Sequence, residues 1–347
     1  MDEFRVRASL LFPLGFAERA LLRGFLARLG LDLELDVEYS SLVRDGETLV
    51  ACASIAGDVI KCVGVDPEWE GEGVAAKAIE LLIAEAEARG QRRLFVYTKP
   101  KNRAVFESLG FRALASVNEA MLLERGRNGF DDWADEIRSL LPGAKADGAV
   151  VVNCNPFTLG HRFLIERAAK ASDRLLVLVV AGDRSSIPGA TREALVRAGT
   201  KDLSKVTVAS GGAYCVSGVT FPAYYLKEKS KASEIQAALD AELFAERIAP
   251  AFKIRTRFVG SEPFCAVTAA YNRALAEVLN RHGIGLVELE RSGVDGRAIS
   301  ASAVRAAIRE GRMESIKNLV PQTTFAWLNS PDAQPVLEAI RSGLSRH

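Results

Sequence analysis

Apolar and polar positions fall into two regimes along this chain. Phe16–Leu29 repeats at helical spacing and stops at Gly30, after which Asp36–Ser40, Thr48–Ile55 and Asp58–Val65 alternate or run apolar as strands do, the last two joined by Ala56-Gly57. A long amphipathic helix follows at Ala76–Ala88, stopped by Gly90. A strand at Arg93–Thr98 and a short helix at Asn102–Leu109 then lead into Gly110-Phe111. Asn128–Leu141 predicts a connecting helix, with Asp131, Asp132, Asp135 and Glu136 near its start, where the helix dipole favours acids, and Pro142-Gly143 at its end. Ala149–Val152 is short, β-branched and bounded by turn formers, the pattern of a buried parallel strand; the next helix carries Phe163, Leu164 and Ala168 on its apolar face. Regular segments continue at Leu175–Ala181, Arg192–Ala198, Val206–Ala209, Glu228–Arg247, Phe252–Phe258, Val267–Arg281 and Leu286–Leu289, and two helices near Thr323–Leu328 and Gln334–Arg341 end the pattern.

Strand–helix alternation in the second half predicts α/β architecture, a doubly wound parallel sheet with helices on both faces. The expected division is a first α+β domain over 1–125, a connecting helix and linker over 126–145, and the parallel-sheet domain over 146–347. At 347 residues, with 48% hydrophobic positions, the chain supports two cores. Its 45 basic and 44 acidic residues balance to +1, which gives no charge asymmetry for nucleic-acid binding. Five cysteines without a C-x-x-C pair argue against a disulfide scaffold and a structural zinc site. There is no basic segment before an apolar run at Met1-Asp2-Glu3 and no apolar stretch of bilayer length, so the expectation is a soluble, cytoplasmic protein with no membrane contact.

The chemistry concentrates after Val152. Asn153-Cys154-Asn155-Pro156 forms a turn in which Pro156 keeps Asn155 out of the helical region. Thr158-Leu159-Gly160-His161 then opens the helix, placing a hydroxyl, a glycine and an imidazole where free N–H groups and the positive end of the dipole favour phosphate. This resembles the T/H-x-G-H signature of the nucleotidyltransferase superfamily. Ile299-Ser300-Ala301-Ser302-Ala303-Val304-Arg305 is similar to that superfamily's second ATP-binding motif, which also caps a helix. With Glu262-Pro263-Phe264-Cys265 and Ala269-Ala270-Tyr271-Asn272, nearly the whole chain resembles the citrate lyase ligase family.

The first domain resembles the GNAT acyltransferase fold. Its acyl-CoA loop is matched by Glu70-x-x-Gly73-x-Ala75, and its later signature by Phe106-Glu107-Ser108-Leu109-Gly110-Phe111. Gly71, Gly73, Val74 and Ala75 are the expected seat of a CoA-like arm, again at a helix N-terminus. Glu70 and Glu72 depart from the pattern by placing carboxylates where a pyrophosphate would lie, to be offset by Lys77, Lys99 or Lys101. Gly71-Glu72-Gly73-Val74-Ala75-Ala76 also fits a dinucleotide fingerprint, but five residues separate it from Val65 and no acidic residue ends the next strand.

The resemblance implies an AMP-forming acid–thiol ligase. It would use ATP and Mg²⁺ to activate acetate and then acetylate the CoA-derived prosthetic group on the acyl carrier (gamma) subunit of citrate lyase. His161 and Thr158 would be catalytic. Asn155, Gly160, Ser300, Ser302 and Arg305 would bind ATP with Arg184 and Arg192, and Glu262 would help hold the nucleotide or Mg²⁺. No residues form a separate metal site. Cys154 and Cys265 read as small buried hydrophobes. Three other readings stay open at this point: the equivalent ligase for the malonate decarboxylase carrier protein, a nucleotidyltransferase that adenylylates a phosphorylated small molecule, and a non-catalytic CoA- or nucleotide-binding regulator.

Overall fold

The computed structural model of the protein describes residues 6–181, 185–215, 225, 231–261, 266–290, 293–294 and 297–343. Contacts divide the chain into two compact units, Met1–Asp132 with Phe221–Ile235, and Trp133–Thr220 with Gln236–His347.

The first unit is built on a seven-stranded sheet. Its strands are β1 (Val6–Leu11), β2 (Tyr39–Asp45), β3 (Thr48–Ala56), β4 (Val59–Val65), β5 (Arg93–Thr98), β6 (Arg112–Ser116) and β7 (Met121–Gly126), in the order β1-β2-β3-β4-β5-β7-β6. Helices α1 (Phe16–Arg28), α2 (Val74–Ala88) and α3 (Arg103–Ser108) accompany it. The central helix α2 buries Ala78, Ile79, Leu82, Ile83 and Ala86, a stripe at helical spacing that packs with Val43, Ala51 and Leu123 of the sheet. Each fully buried Ile or Leu there contributes about 1.5–3 kcal/mol of apolar transfer.

Only β4 and β5 pair in parallel, and only through Val59–Phe95 and Ile60–Val96. Cys62, at φ +52°, bends β4 away, so the two strands part toward their carboxyl ends. The parting opens a cleft of about 380 Å³ lined by Val63, Val65, Thr98, Lys99, Asn102 and Phe106, among others. The edge strands β1 and β6, and β7 beside β6, were not marked by the sequence pattern.

The second unit contains α4 residues from Trp133 onward; α4 spans Phe130–Leu140, and its Trp133 packs on Tyr214 and Phe252. A five-stranded, all-parallel sheet follows, formed by β8 (Gly148–Val152), β9 (Leu175–Val179), β10 (Val206–Ser210), β11 (Thr256–Gly260) and β12 (Gly285–Leu289) in the order β10-β9-β8-β11-β12. Its helices are α5 (Leu159–Lys170), α6 (Gly189–Gly199), α7 (Ala232–Leu243), α8 (Ala249–Phe252) and α9 (Ala266–Arg281), with a π-helical turn, Phe244–Ile248, between α7 and α8. Phe252 therefore ends a short helix and does not begin the strand expected at Phe252–Phe258; Lys253, at φ +60°, separates the two.

The strand order reverses at β8, whose neighbours are β9 and β11. A doubly wound sheet opens its binding crevice at such a switch point, beyond the strands' carboxyl ends. A two-residue pair, β13 (Gly293–Val294) with β14 (Arg297–Ala298), leads into α10 (Ala301–Arg309). Helices α11 (Met313–Ile316), α12 (Gln322–Leu328) and α13 (Gln334–Arg341) complete a separate apolar cluster around Val304, Ile308, Ile316, Leu328, Leu337 and Ile340. Among the described residues, no helix is long and apolar enough to cross a membrane.

Candidate active site

The turn after β8 and the start of α5 set the site. Thr158 is the N-cap of α5, and its Oγ1 accepts from the His161 N–H at 3.3 Å. In return Nδ1 of His161 accepts from the Thr158 N–H at 3.2 Å and lies 2.9 Å from Thr158 Oγ1, which closes a reciprocal capping box. A ring that accepts at Nδ1 carries its proton, when neutral, on Nε2, so the fold fixes the imidazole as an Nε2 donor. Phe157 stacks beside the ring at 6.3 Å between centroids.

The Leu159 N–H is taken by the Leu319 carbonyl at 2.9 Å and the His161 N–H by Thr158, while the Gly160 N–H has no protein partner among the described residues. The first turn of α5 thus presents one open amide, between the hydroxyl and the imidazole. The same holds at α10. Ser300 caps it by accepting from the Ala303 N–H at 3.1 Å, and the Ala301 and Ser302 N–H groups are open among the described residues.

Two contacts bind these helix starts together. A Cβ at Gly160 would lie 2.4 Å from the Ile299 carbonyl oxygen, so only glycine lets the two backbones approach. Arg305 Nη1 donates to the Asn155 carbonyl at 2.5 Å and Nη2 to Ser302 Oγ at 3.3 Å. Burial, and then the neighbouring Arg309 guanidinium, hold the Arg305 pKa below the ordinary arginine value. Asn155, itself buried, accepts the Ile187 N–H on Oδ1 at 3.1 Å.

The resulting crevice, about 200 Å³, is lined by Asn153, Gly160, His161 and Ser300 together with Val259, Gly260, Tyr271, Asn272, Leu289 and Glu290. Asn153, Tyr271, Asn272 and Glu290 were not singled out as site residues from the sequence. Asn153 and Glu290 directly follow β8 and β12, and position after a parallel strand was the signal that could have found them. A larger cavity, about 1160 Å³, lies at the opposite, amino ends of the strands near Asp147, Arg174 and Arg255, away from both motifs.

Arg192 is tied into the loops that follow β8 and β9. It is wholly buried, donating from Nε to the Ile187 carbonyl and from Nη1 to the Val180 and Asn153 carbonyls and Asn153 Oδ1. These bonds hold the ends of β8 and β9 to the following loop. Arg184 and Glu262 lie outside the described residues, as does Cys265. Cys154 is fully buried and burial pushes its thiol far up, which leaves it unionised.

In the first unit, Gly71 and Gly73 take left-handed φ values of +89° and +74°, and Gly73 caps α2 without a side-chain partner. The Val74, Ala75 and Ala76 N–H groups have no protein partner among the described residues. Glu70, Ala75, Lys99 and Lys101 line the same cleft, whereas Lys77 is turned away and donates to the Val6 carbonyl at 2.8 Å. Lys99 and Lys101 therefore share the cleft with Glu70, and Lys77 is not among its lining residues.

A parallel sheet whose switch point carries T-x-G-H on one helix start and S-x-S-x-x-R on another defines a nucleotidyltransferase-type α/β domain, here preceded in sequence by a GNAT-type unit. Residues 147–328 match the family described as the citrate lyase ligase C-terminal domain, and residues 18–111 match the acetyltransferase (GNAT) family. The chain is similar to [citrate [pro-3S]-lyase] ligase of Klebsiella pneumoniae, 38% identical over 88% of this chain and 90% of that one. It is 37% identical to the protein of the same name from Escherichia coli strain K12, over 88% and 89% of the two chains. Among solved structures, an acyl-CoA N-acyltransferase from Klebsiella pneumoniae is 19% identical over 35% of this chain and 97% of that one, with a TM-score of 0.29. The chain belongs to the citrate lyase ligase family.

Proposed function

We propose that this protein is an AMP-forming acid–thiol ligase that activates acetate with ATP and acetylates the prosthetic-group thiol of the citrate lyase acyl carrier subunit. In the first step an acetate oxygen attacks the α-phosphorus of ATP; the bond to the bridging oxygen breaks, and diphosphate leaves with the electron pair. In the second, the thiol sulfur attacks the acetyl carbon, AMP leaves, and the thiol proton passes to solvent. Displacement at phosphorus needs no protein nucleophile, and the buried, unionised Cys154 agrees with that.

One observation carries the nucleotide half of this reading. Open amides at Gly160, Ala301 and Ser302 belong to two helix starts held together by the Gly160–Ile299 approach and the Arg305–Asn155 bond. Donors fixed before the ligand arrives stabilise phosphate charge without reorganisation. His161, an Nε2 donor by its capping box, is assigned to the oxygens that gain charge at the α-phosphorus, with Thr158 fixing its ring. Ser300, Ser302 and Arg305 are assigned to the β- and γ-phosphates. Mg²⁺ suits a site of this kind, since it takes phosphate oxygens with one or two carboxylates, and Glu290 lines the crevice. The relatives' names supply citrate lyase, and acetate and the carrier are what the family resemblance implies. The CoA-derived arm is assigned to the first unit, where the parted β4 and β5 and the open start of α2 supply a cleft and phosphate donors.

Isotope exchange between diphosphate and ATP is the test. The full chain with Mg²⁺ should catalyse exchange that depends on acetate and needs no thiol. Exchange that ignores acetate and appears with a phosphorylated acceptor would instead place the protein among the simple nucleotidyltransferases.

A further inference from the structure

A charge network buried behind one wall of the crevice has no part in the chemistry above. Arg257, on β11, is 2% exposed, and Asp240, on α7, is 5% exposed. Arg257 Nη2 lies 3.3 Å from Asp240 Oδ2 and donates to Tyr271 Oη at 3.1 Å; the Tyr271 hydroxyl donates to the same Asp240 oxygen at 2.6 Å. The guanidinium carbon stands 4.5 Å from the centre of the Phe244 ring, in the π-helical turn. Arg257 Nε and Nη1 are buried without a hydrogen-bond partner among the described residues. Tyr271 connects this network to the site, because it also lines the crevice with His161 and Ser300.

On stability grounds the arrangement is unfavourable. A guanidinium removed from water, with one carboxylate and two nitrogens left unbonded, costs more than a well-packed apolar pair of similar volume would. What it supplies instead is geometry. The Tyr271 hydroxyl has an acceptor on one side and a donor on the other, which fixes the ring's tilt and couples α7, β11 and α9 at the crevice wall.

We propose that Arg257 and Asp240 are positioning residues for nucleotide binding, acting through Tyr271, whose ring forms a wall against the nucleoside. This rests on reading the crevice as the nucleotide site. The signature is opposite signs for stability and binding: removing the charges should leave the fold as stable or more so, yet loosen the nucleotide.

The experiment uses the full chain, with thermal melting and calorimetric ATP affinity as readouts. The triple variant Arg257→Met/Asp240→Leu/Tyr271→Phe, which removes the hydroxyl together with both of its partners, should melt at or above the wild-type temperature and bind ATP about tenfold more weakly, the size of one lost aromatic contact. Tyr271→Phe keeps the ring and the ion pair but loses the lock, and should by itself weaken ATP to a similar degree, because the three residues act as one unit. A folded triple variant with wild-type ATP affinity would overturn the proposal, as would a loss of affinity that tracks a fall in melting temperature. Should the triple variant not fold, Tyr271→Phe decides alone, and unchanged affinity there overturns it. A wild-type chain that binds ATP but shows no acetate-dependent exchange would count against the ligase reading and leave this one standing.

Discussion

The α-carbon of Gly160 faces the carbonyl oxygen of Ile299 so closely that a Cβ would sit 2.4 Å from it. The obstacle is backbone, which cannot rotate aside as a side chain would. Gly160→Ala must therefore push the start of α5 away from the segment that leads into α10, separating the open amides of the two motifs. Overpacking of this kind costs about 1–3 kcal/mol of stability. The expected activity loss is larger than the stability loss implies, about 10²-fold for a misplacement near 1 Å. Acetate-dependent exchange, measured below the melting transition, checks this. A variant with wild-type turnover would show that the two helix starts need not approach.

Arg305 spans 150 residues of sequence to hold the Asn155 carbonyl, while its second nitrogen reaches Ser302. Arg305→Lys keeps the charge but not the planar fork, so it cannot make both bonds in this geometry. The expected result is a KM for ATP raised about tenfold in Arg305→Lys, and more in Arg305→Ala, for the loss of a charge-assisted bond of roughly 1.5–3 kcal/mol. Added guanidinium should partly restore the alanine variant. Equal KM values in wild type and lysine variant would assign Arg305 to surface charge.

How far the sequence foretold this site depends on the range over which each residue acts. The helix starts capped by Thr158 and Ser300, with Gly160, His161 and Ser302 in their first turns, were legible because a helix start is a local object, set by a few consecutive residues. Arg192 was not, because nothing in the local pattern around a helical arginine says that its guanidinium will be enclosed by carbonyls from residues 153, 180 and 187. The central strands and α2 were legible from apolar runs and a helical stripe. Strands β6 and β7 escaped because their partner register, such as Ala113 to Leu123, is a tertiary fact. The splay of β4 from β5 escaped for the same reason, since it depends on the bend at Cys62.

Cys154 follows the strand that feeds the site, yet burial pushes its thiol well above the ordinary value of 9.0. Raising the pH from 7 to 9 ionises an ordinary thiol but leaves this one protonated, so its alkylation in the folded chain should not accelerate over that range. Cys154→Ala should keep exchange within about twofold of wild type, since no covalent step runs through it. Mass spectrometry of the alkylated protein and exchange kinetics check the two parts. Rapid modification of Cys154 with loss of activity would reopen a covalent mechanism.

Glu70 shares the first unit's cleft with Lys99 and Lys101. Its carboxylate opposes a pyrophosphate that the lysines would attract. Glu70→Gln should therefore tighten dephospho-CoA binding by the full chain about two- to fivefold, the size of one exposed charge pair, and salt should erase the difference. Exchange without thiol should not change, because the arm enters only in the second step. Calorimetry at low and high salt measures this. Weaker binding in the variant would mean that Glu70 accepts a hydrogen bond from the arm.

His161 offers the most direct test of the nucleotide reading. The Thr158 N–H donates to its Nδ1, which fixes Nε2 as the protonated nitrogen of the neutral ring. That N–H is placed at the first turn of α5, beside the open amide of Gly160, where an α-phosphate oxygen would lie. Charge on that oxygen grows as the acid attacks, so the bond strengthens in the transition state and adds little to ground-state ATP binding. Losing one such donor costs about 10²–10³ in turnover, or roughly 3–4 kcal/mol. His161→Ala should lower acetyl-adenylate formation by that factor while ATP affinity stays within about fivefold. Because the capping box is lost with the ring, His161→Gln serves as the control, its side chain being long enough to reach back to the Thr158 N–H. Its melting temperature should lie near wild type while turnover stays low, which separates the cap from the catalytic donor. Supplied acetyl-adenylate should bypass most of the defect in both variants, since diphosphate has already left. Near-full turnover in a folded His161→Ala protein would remove His161 from the chemistry and leave it as the cap of α5.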